Sequence, residues 1–184
     1  MTKDTQTAPA FSPGAVSHAR LNSLSDWRRI SIMKKSWHEL VEQYSQFEKR
    51  FESNVPPPTT NEAIQIMLVA AQNNGLFVPD SYIEFLKLRN GASFNSLMLY
   101  GANIPQADPF RRLDLIIMNQ YQGNPENETI LGTSDMDTYV VVGPKGPYRR
   151  LDRASWDTID EFQTCEELLA SIFVAQIEEL ERLA

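Results

Sequence analysis

The stretch that decides the fold runs from Leu76 to Phe94, "LFVPDSYIEFLKLRNGASF". Pro79 disfavours helix in Val78, and the Ser81 hydroxyl is placed to cap a turn whose third residue, Glu84, reaches back in a capping box. A helix is therefore expected to open near Asp80 or Ser81. Tyr82, Phe85 and Leu86 share one face at helical spacing with Ile83 at its margin, while Glu84, Lys87 and Arg89 point elsewhere. Asn90-Gly91 ends it, since either residue tolerates the left-handed C-terminal conformation. A helix of about two and a half turns is not stable alone, so its apolar face predicts a docking surface within the same chain. The segment reads as a core helix.

Upstream, Asn61–Gly75 carries a second helical pattern with Ile64, Met67, Leu68 and Ala71 inward, Thr59 and Glu62 as a capping box, and Asn74-Gly75 as the stop. "NVPPPTT" before it lacks amide donors at three successive positions and reads as a stiff connector or hinge over 54–60. Ile30, Met33, Trp37, Leu40, Tyr44, Phe47 and Phe51 alternate at three and four residues, which predicts a long amphipathic helix within 23–53. Its aromatic seam argues against a parallel coiled coil and favours packing on its own domain, with a partner or a weak dimer as the alternatives. Residues 1–22 have no periodicity and read as a flexible tail.

Downstream the texture changes to short β-rich runs, "SFNSLMLYG" and "ETILGTSDMDTYVVVGPKGPYRRLD", with "GPKGP" as a hairpin turn. "FRRLDLIIMNQYQGNPENE" between them admits helix or strand, and helix is preferred. Cys165–Ala184 places Leu168, Leu169, Ile172, Phe173, Ile177, Leu180 and Leu183 beside an acidic face as a closing helix. Helices, then an antiparallel sheet, then a helix make an α+β domain over 61–184.

The 184-residue chain is 42% apolar and carries a net charge of -7. Residues 61–184 hold nine Lys or Arg against eighteen Asp or Glu, so the excess of acid lies in the main domain. Such a surface repels phosphate backbones and attracts basic partners, which disfavours direct nucleic-acid binding. A single cysteine, Cys165, excludes an intramolecular disulfide and a multi-cysteine metal cage. The longest apolar run, Ile66–Ala71, is far below the roughly 20 residues that span a bilayer. No membrane association and a cytoplasmic location are expected.

Three pieces together carry a family resemblance. "VPDSYIEFLKLRNGA" resembles the Pro-x-x-Tyr-x-x-Phe-Leu-x-x-x-Asn-Gly segment of the SMI1/KNR4 (SUKH) superfamily. "LMLYG" at Leu97–Gly101 resembles the strand that follows it there, and "ILGTSDMDTYVVV" with "IDEFQTCEELLASI" resembles the later strands and the closing helix. The likeness covers roughly 60–175, and the long helix with its Pro-rich connector is similar to the YrhA-like branch. The resemblance implies an antiparallel sheet flanked by helices. It also implies, as in most bacterial members, an immunity protein that binds and blocks a toxin domain. Other members are cellular scaffolds or regulators.

Catalytic constellations are scarce. His18 and His38 sit in no motif, Cys165 has no surrounding nucleophile signature, and "GTSD" is not a nucleophile elbow. Asp135 and Asp137 lack the distal ligand set of a calcium loop and read as a solvated turn. No cofactor, no metal and no enzymatic activity are expected. A binding mechanism suits the charge better, with carboxylates opposing a basic, nuclease-like toxin and exposed aromatics as anchors. The candidate charges are Asp108, Glu126, Glu128, Asp135, Asp137, Asp157, Asp160 and Glu161, and the candidate anchors are Tyr121, Tyr148 and Trp156.

Overall fold

A computed structural model describes residues 35–103, 113–123 and 127–183. Within them lie helices α1 (Trp37–Arg50), α2 (Asn61–Asn73), α3 (Asp80–Leu88), α4 (Leu115–Gln122) and α5 (Cys165–Leu183). The strands are β1 (Ala92–Phe94), β2 (Leu97–Leu99), β3 (Glu128–Thr133), β4 (Asp137–Val142), β5 (Tyr148–Asp152) and β6 (Thr158–Phe162). They form one antiparallel sheet in the order β1-β2-β3-β4-β5-β6, so every strand pairs with its neighbour in sequence. The architecture is α+β, as the sequence predicts. The tail at 1–22, the first part of the expected long helix with Ile30 and Met33, and His18 lie outside the described residues.

The helical core follows the periodicity. Tyr82, Phe85 and Leu86 on α3 are fully buried, and α5 buries Leu168, Leu169, Ile172, Phe173, Ile177 and Leu180. Phe173 joins the helices, with its ring centroid 5.3 Å from that of Tyr44 on α1 and 6.0 Å from that of Phe85 on α3. Buried hydroxyls then tie helix to sheet. Tyr44 donates to the Phe94 carbonyl at 2.7 Å, and the Tyr82 hydroxyl sits 2.7 Å from the Tyr100 carbonyl and 2.8 Å from that of Leu131. On α4, Asp114 Oδ1 caps the amides of Ile116 and Ile117, and Asn119 exchanges two hydrogen bonds with the Ile130 backbone, docking the helix on β3.

Arg89 points away from the apolar face of its helix, as its spacing implies, yet its side chain is only 2% exposed. Its Nη1 and Nη2 bind Glu48 Oε2 and Oε1 at 2.5 and 2.8 Å, Nη1 also donates to Ser45 Oγ at 3.1 Å, and Nε donates to the Gly91 carbonyl at 2.8 Å. Glu48 is wholly buried. To bring the guanidinium inward, the backbone turns extended at Arg89 (φ -161°, ψ 142°), which stops α3 before Asn90. Asn90 instead uses its side-chain amide to bridge the Ala102 N–H and carbonyl. Gly91, at φ +86°, passes so close to β2 that a Cβ would lie 2.5 Å from the Leu99 carbonyl oxygen.

Several expected caps also move. Thr60, not Thr59, accepts from Ala63 N at the start of α2. Pro79 occupies the N-cap position of α3 without a side-chain bond, and Ser81 donates its hydroxyl to Glu166 of α5 in place of a capping box with Glu84. A capping box does occur two helices earlier, where Ser36 and Glu39 open α1. Among the described residues the helix thus begins at Trp37, with Lys35 and Ser36 outside it. Trp37, Leu40 and Tyr44 of the predicted stripe are buried against the chain's own core, Phe47 is half-buried, and Phe51 is largely open. The described part of that face is thus occupied within the domain. The connector is pinned as well, because Thr59 N donates to Leu86 O at 2.9 Å and Asn90 N to Pro57 O at 2.8 Å.

Removing either partner of the Arg89–Glu48 pair leaves a buried charge unmatched. Arg89→Met or Glu48→Gln alone is expected to cost about 3–5 kcal/mol in urea unfolding, and joint Glu48→Leu, Arg89→Met to recover most of it. A single-variant loss below about 1 kcal/mol, the range of a surface pair, contradicts this role.

Candidate partner-binding surface

Alternating hairpins bring the β1–β2, β3–β4 and β5–β6 turns to one end of the sheet, as the pairing of Met98 with Thr133 and of Asp137 with Asp152 requires. The β3–β4 turn closes on itself, with Ser134 N donating to Asp137 O at 2.8 Å and Asp137 N to Ser134 Oγ at 3.0 Å. That closure projects Asp135 and Met136, and Met136 is 70% exposed.

The β5–β6 turn is built by Asp152. Its Oδ1 accepts from Ala154 N and Ser155 N at 2.9 and 2.8 Å, its carbonyl accepts from Trp156 N, and its own N–H donates to Asp157 O. The amides of Ser155 and Ala154 hold the Asp152 carboxyl below the usual carboxylate range. The loop closes only with Trp156 at φ +63°, a left-handed conformation that side chains other than Gly, Asn and Asp rarely adopt. Its indole is 42% exposed.

Arg153 fastens the two turns together. Its N–H donates to the Met136 carbonyl at 2.8 Å and its Nη1 to the Ser134 carbonyl at 3.0 Å. Asp135, Met136, Trp156 and Asp157 therefore form one ridge, with Asp137 half-buried at its base.

The other candidates are placed differently. Glu161 and Glu128 flank Arg149 at 3.2 and 3.9 Å, and Asp160 binds Arg150 at 2.5 Å, so these carboxylates already face cations of their own chain. Tyr148 packs against the core at the far end of β5 and is not a free anchor. Tyr121 is 85% exposed but stands on α4, away from these turns. Asp108 and Glu126 lie outside the described residues. Met136 and Arg153 were missed by sequence reasoning. The available signals were a large apolar side chain amid turn residues in "SDMDT" and the Asp-x-x-Ser turn chemistry of "DRASW".

Chemically the surface offers contacts in preference to proton transfer. Burial raises the Tyr139 hydroxyl beneath the β3–β4 turn to about 12. Burial, reinforced by Glu166, pushes the Cys165 thiol far above its ordinary range, which removes the thiolate a nucleophile needs. His38 stacks on Trp37 at a centroid distance of 3.6 Å. Among the described residues no cluster of three His, Cys, Asp or Glu is disposed to hold a metal, and no helix is long and apolar enough to cross a membrane.

Compared with known proteins, the chain matches no family model, and no curated protein matches it significantly.

Trp156 lies outside the buried core cluster and on a left-handed turn. Trp156→Gly is expected to leave stability unchanged or to raise it by up to about 1 kcal/mol in urea unfolding, since glycine relieves the left-handed backbone. A loss of about 3–5 kcal/mol, the cost of truncating a core tryptophan, would place the indole in the core instead.

Proposed function

We propose that this chain is a protein-binding inhibitor that acts stoichiometrically in the cytoplasm, with a basic toxin domain of nuclease type as its target. The observation that carries this reading is Trp156, an exposed residue kept in a strained backbone conformation on the turn that Arg153 fastens to the one carrying exposed Met136 and Asp135. Backbone strain of order 1–3 kcal/mol persists where surrounding bonds over-determine it, and it gathers at functional positions. Here the bonds of Asp152 and Arg153 do so.

The division of labour follows from the chemistry. Trp156 and Met136 supply apolar area that loses water on contact, and Asp135 and Asp157 oppose Lys or Arg at the rim. Arg153 is the cation nearest these acids along the two turns, and its guanidinium is engaged with the Ser134 carbonyl. The excess of acid over base in 61–184 adds long-range attraction to a basic cleft and repulsion from nucleic acid itself. The identity of the target as a toxin comes from the SMI1/KNR4 resemblance, and the ridge supports only the binding mode.

The test uses the full chain and its Trp156→Gly, Met136→Gln double variant as baits in lysate of the producing cell, followed by co-expression with the captured protein. The wild-type chain is expected to capture one toxin domain and restore growth. The double variant should bind it more weakly by about 2 kcal/mol, roughly 30-fold. Association should slow as salt shortens the screening length below about 8 Å. Capture of housekeeping machinery without growth protection contradicts the toxin target and favours a scaffold. Unchanged binding by the double variant removes the ridge from the interface.

A further inference from the structure

The chain holds two Asn-Gly pairs, Asn74-Gly75 and Asn90-Gly91. A glycine without Cβ leaves its main-chain nitrogen open to the side-chain amide of the preceding asparagine, so the two pairs share one intrinsic reactivity. Their surroundings differ. Asn74 and Gly75 are both exposed at the end of α2, where Gly75, at φ +67°, donates its N–H to the Gln72 carbonyl at 3.2 Å and Leu76 N donates to the Ala71 carbonyl at 2.9 Å. The Asn74 side chain adds two more bonds, Nδ2 donating to the Ala70 carbonyl at 2.7 Å and Oδ1 accepting from Gln120 Nε2 at 2.9 Å. All of these bonds lie at one exposed helix end. A Cβ placed on Gly75 would meet nothing within 4 Å, so the turn has room to open.

Asn90 is half-buried and Gly91 is buried. Asn90 N donates to the Pro57 carbonyl at 2.8 Å, and its side-chain amide bridges the Ala102 N–H and carbonyl at 2.6 and 3.1 Å. Gly91 N donates to the Arg89 carbonyl at 3.0 Å, and the Gly91 carbonyl is held by Arg89 Nε. Freeing this pair therefore requires the strap, Ala102 and the Arg89 side chain to part together.

We propose that Asn74 is a site of spontaneous deamidation in the folded protein, while Asn90 is spared. The Gly75 nitrogen gives its proton to hydroxide and bonds to Cγ of Asn74, and the Cγ–Nδ2 bond breaks to release ammonia. Water then adds to either carbonyl of the five-membered imide, leaving an aspartate or an isoaspartate at that position. No oxidant or reductant takes part. Ring closure needs the Asn74 ψ to swing well away from the 8° it holds in the turn, so fraying of the last turn of α2 gates the reaction. Fraying ends open at low free energy, whereas core segments open only near the global value.

The product is not neutral for the fold. An aspartate there cannot donate to the Ala70 carbonyl and sets a negative charge at the C-terminus of α2, which the helix dipole disfavours. An isoaspartate lengthens the main chain by one methylene and displaces Leu76 and Phe77, whose N–H donates to Thr129 Oγ1 of β3 at 2.8 Å. Conversion thus loosens the seam between α2 and the sheet.

The experiment incubates the full chain at mildly alkaline pH, folded and in urea, and follows both sites by tryptic mapping with tandem mass spectrometry. Lys87 and Arg89 lie between the sites, so they fall in separate peptides. In urea the two are expected to convert at similar rates. In the folded chain Asn74 should convert at least about tenfold faster than Asn90. The converted chain, separated by its added negative charge, should exchange its amides at 70–77 about threefold faster, with β3 to β5 unchanged. Equal conversion of the two sites in the folded chain, or an intact Asn74 when the unfolded chain has fully converted, overturns the proposal. Unchanged exchange at 70–77 overturns the loosening.

Discussion

The buried contact between Arg89 and Glu48 is the constraint on which the rest of the architecture depends. It joins the end of α3 to α1 across a gap of 41 residues, and the same guanidinium holds the Gly91 carbonyl just before the first strand. Nearly every donor is engaged, and the Tyr44 ring lies 5.5 Å from the guanidinium carbon. A buried pair of this kind contributes little net stability compared with well-packed apolar side chains, but it penalises any arrangement that separates its members. It fixes the register of α1 on the domain. The Pro-rich segment, bonded to Leu86 and Asn90, then lies as a strap along α3.

With the helices fixed, one end of the sheet gathers its turns. Its meander order sends three turns to that end, and Arg153 bonds two of them into a unit. The cost of this arrangement falls on Trp156, whose backbone conformation glycine would occupy more readily. Side chains elsewhere in the acidic surface behave differently. Arg149 and Arg150 neutralise their cross-strand neighbours, so net charge overstates how many carboxylates are open to a partner. The electrostatic character of the domain is therefore uneven, with Asp135 and Asp157 exposed at the turns and the carboxylates of β6 facing arginines.

Periodicity made the packing helices legible. Tyr82, Phe85 and Leu86 are core residues because three- and four-residue spacing places them together, and the same holds for α5 and for the described part of α1. Strands β3 to β5 were readable from β-branched runs and turn residues, whereas β6, "TIDEF", has no alternation to betray it. Arg89 was illegible because its burial depends on a partner far along the chain, and helical spacing alone sends a charged residue to water. The cap at Thr60 was ambiguous for a different reason, since Thr59 and Thr60 are adjacent hydroxyl residues and the contact of the Thr59 N–H with the Leu86 carbonyl leaves Thr60 at the cap. Of the candidate site, Trp156, Asp135 and Asp157 could be named from turn context. That Glu128, Asp160 and Glu161 face arginines is a matter of strand register, which composition does not contain.

The central claim is that α1, the strap and the sheet domain form one cooperative unit locked by the Arg89–Glu48 pair. Native-state amide hydrogen exchange across a series of low urea concentrations tests it most directly. The account predicts that the slowest amides of α1 and of α5 merge into a single opening with the free energy of global unfolding. If α1 opens at a free energy several kcal/mol lower while α5 remains protected, the helix is a detachable appendage and the buried pair does not organise the fold.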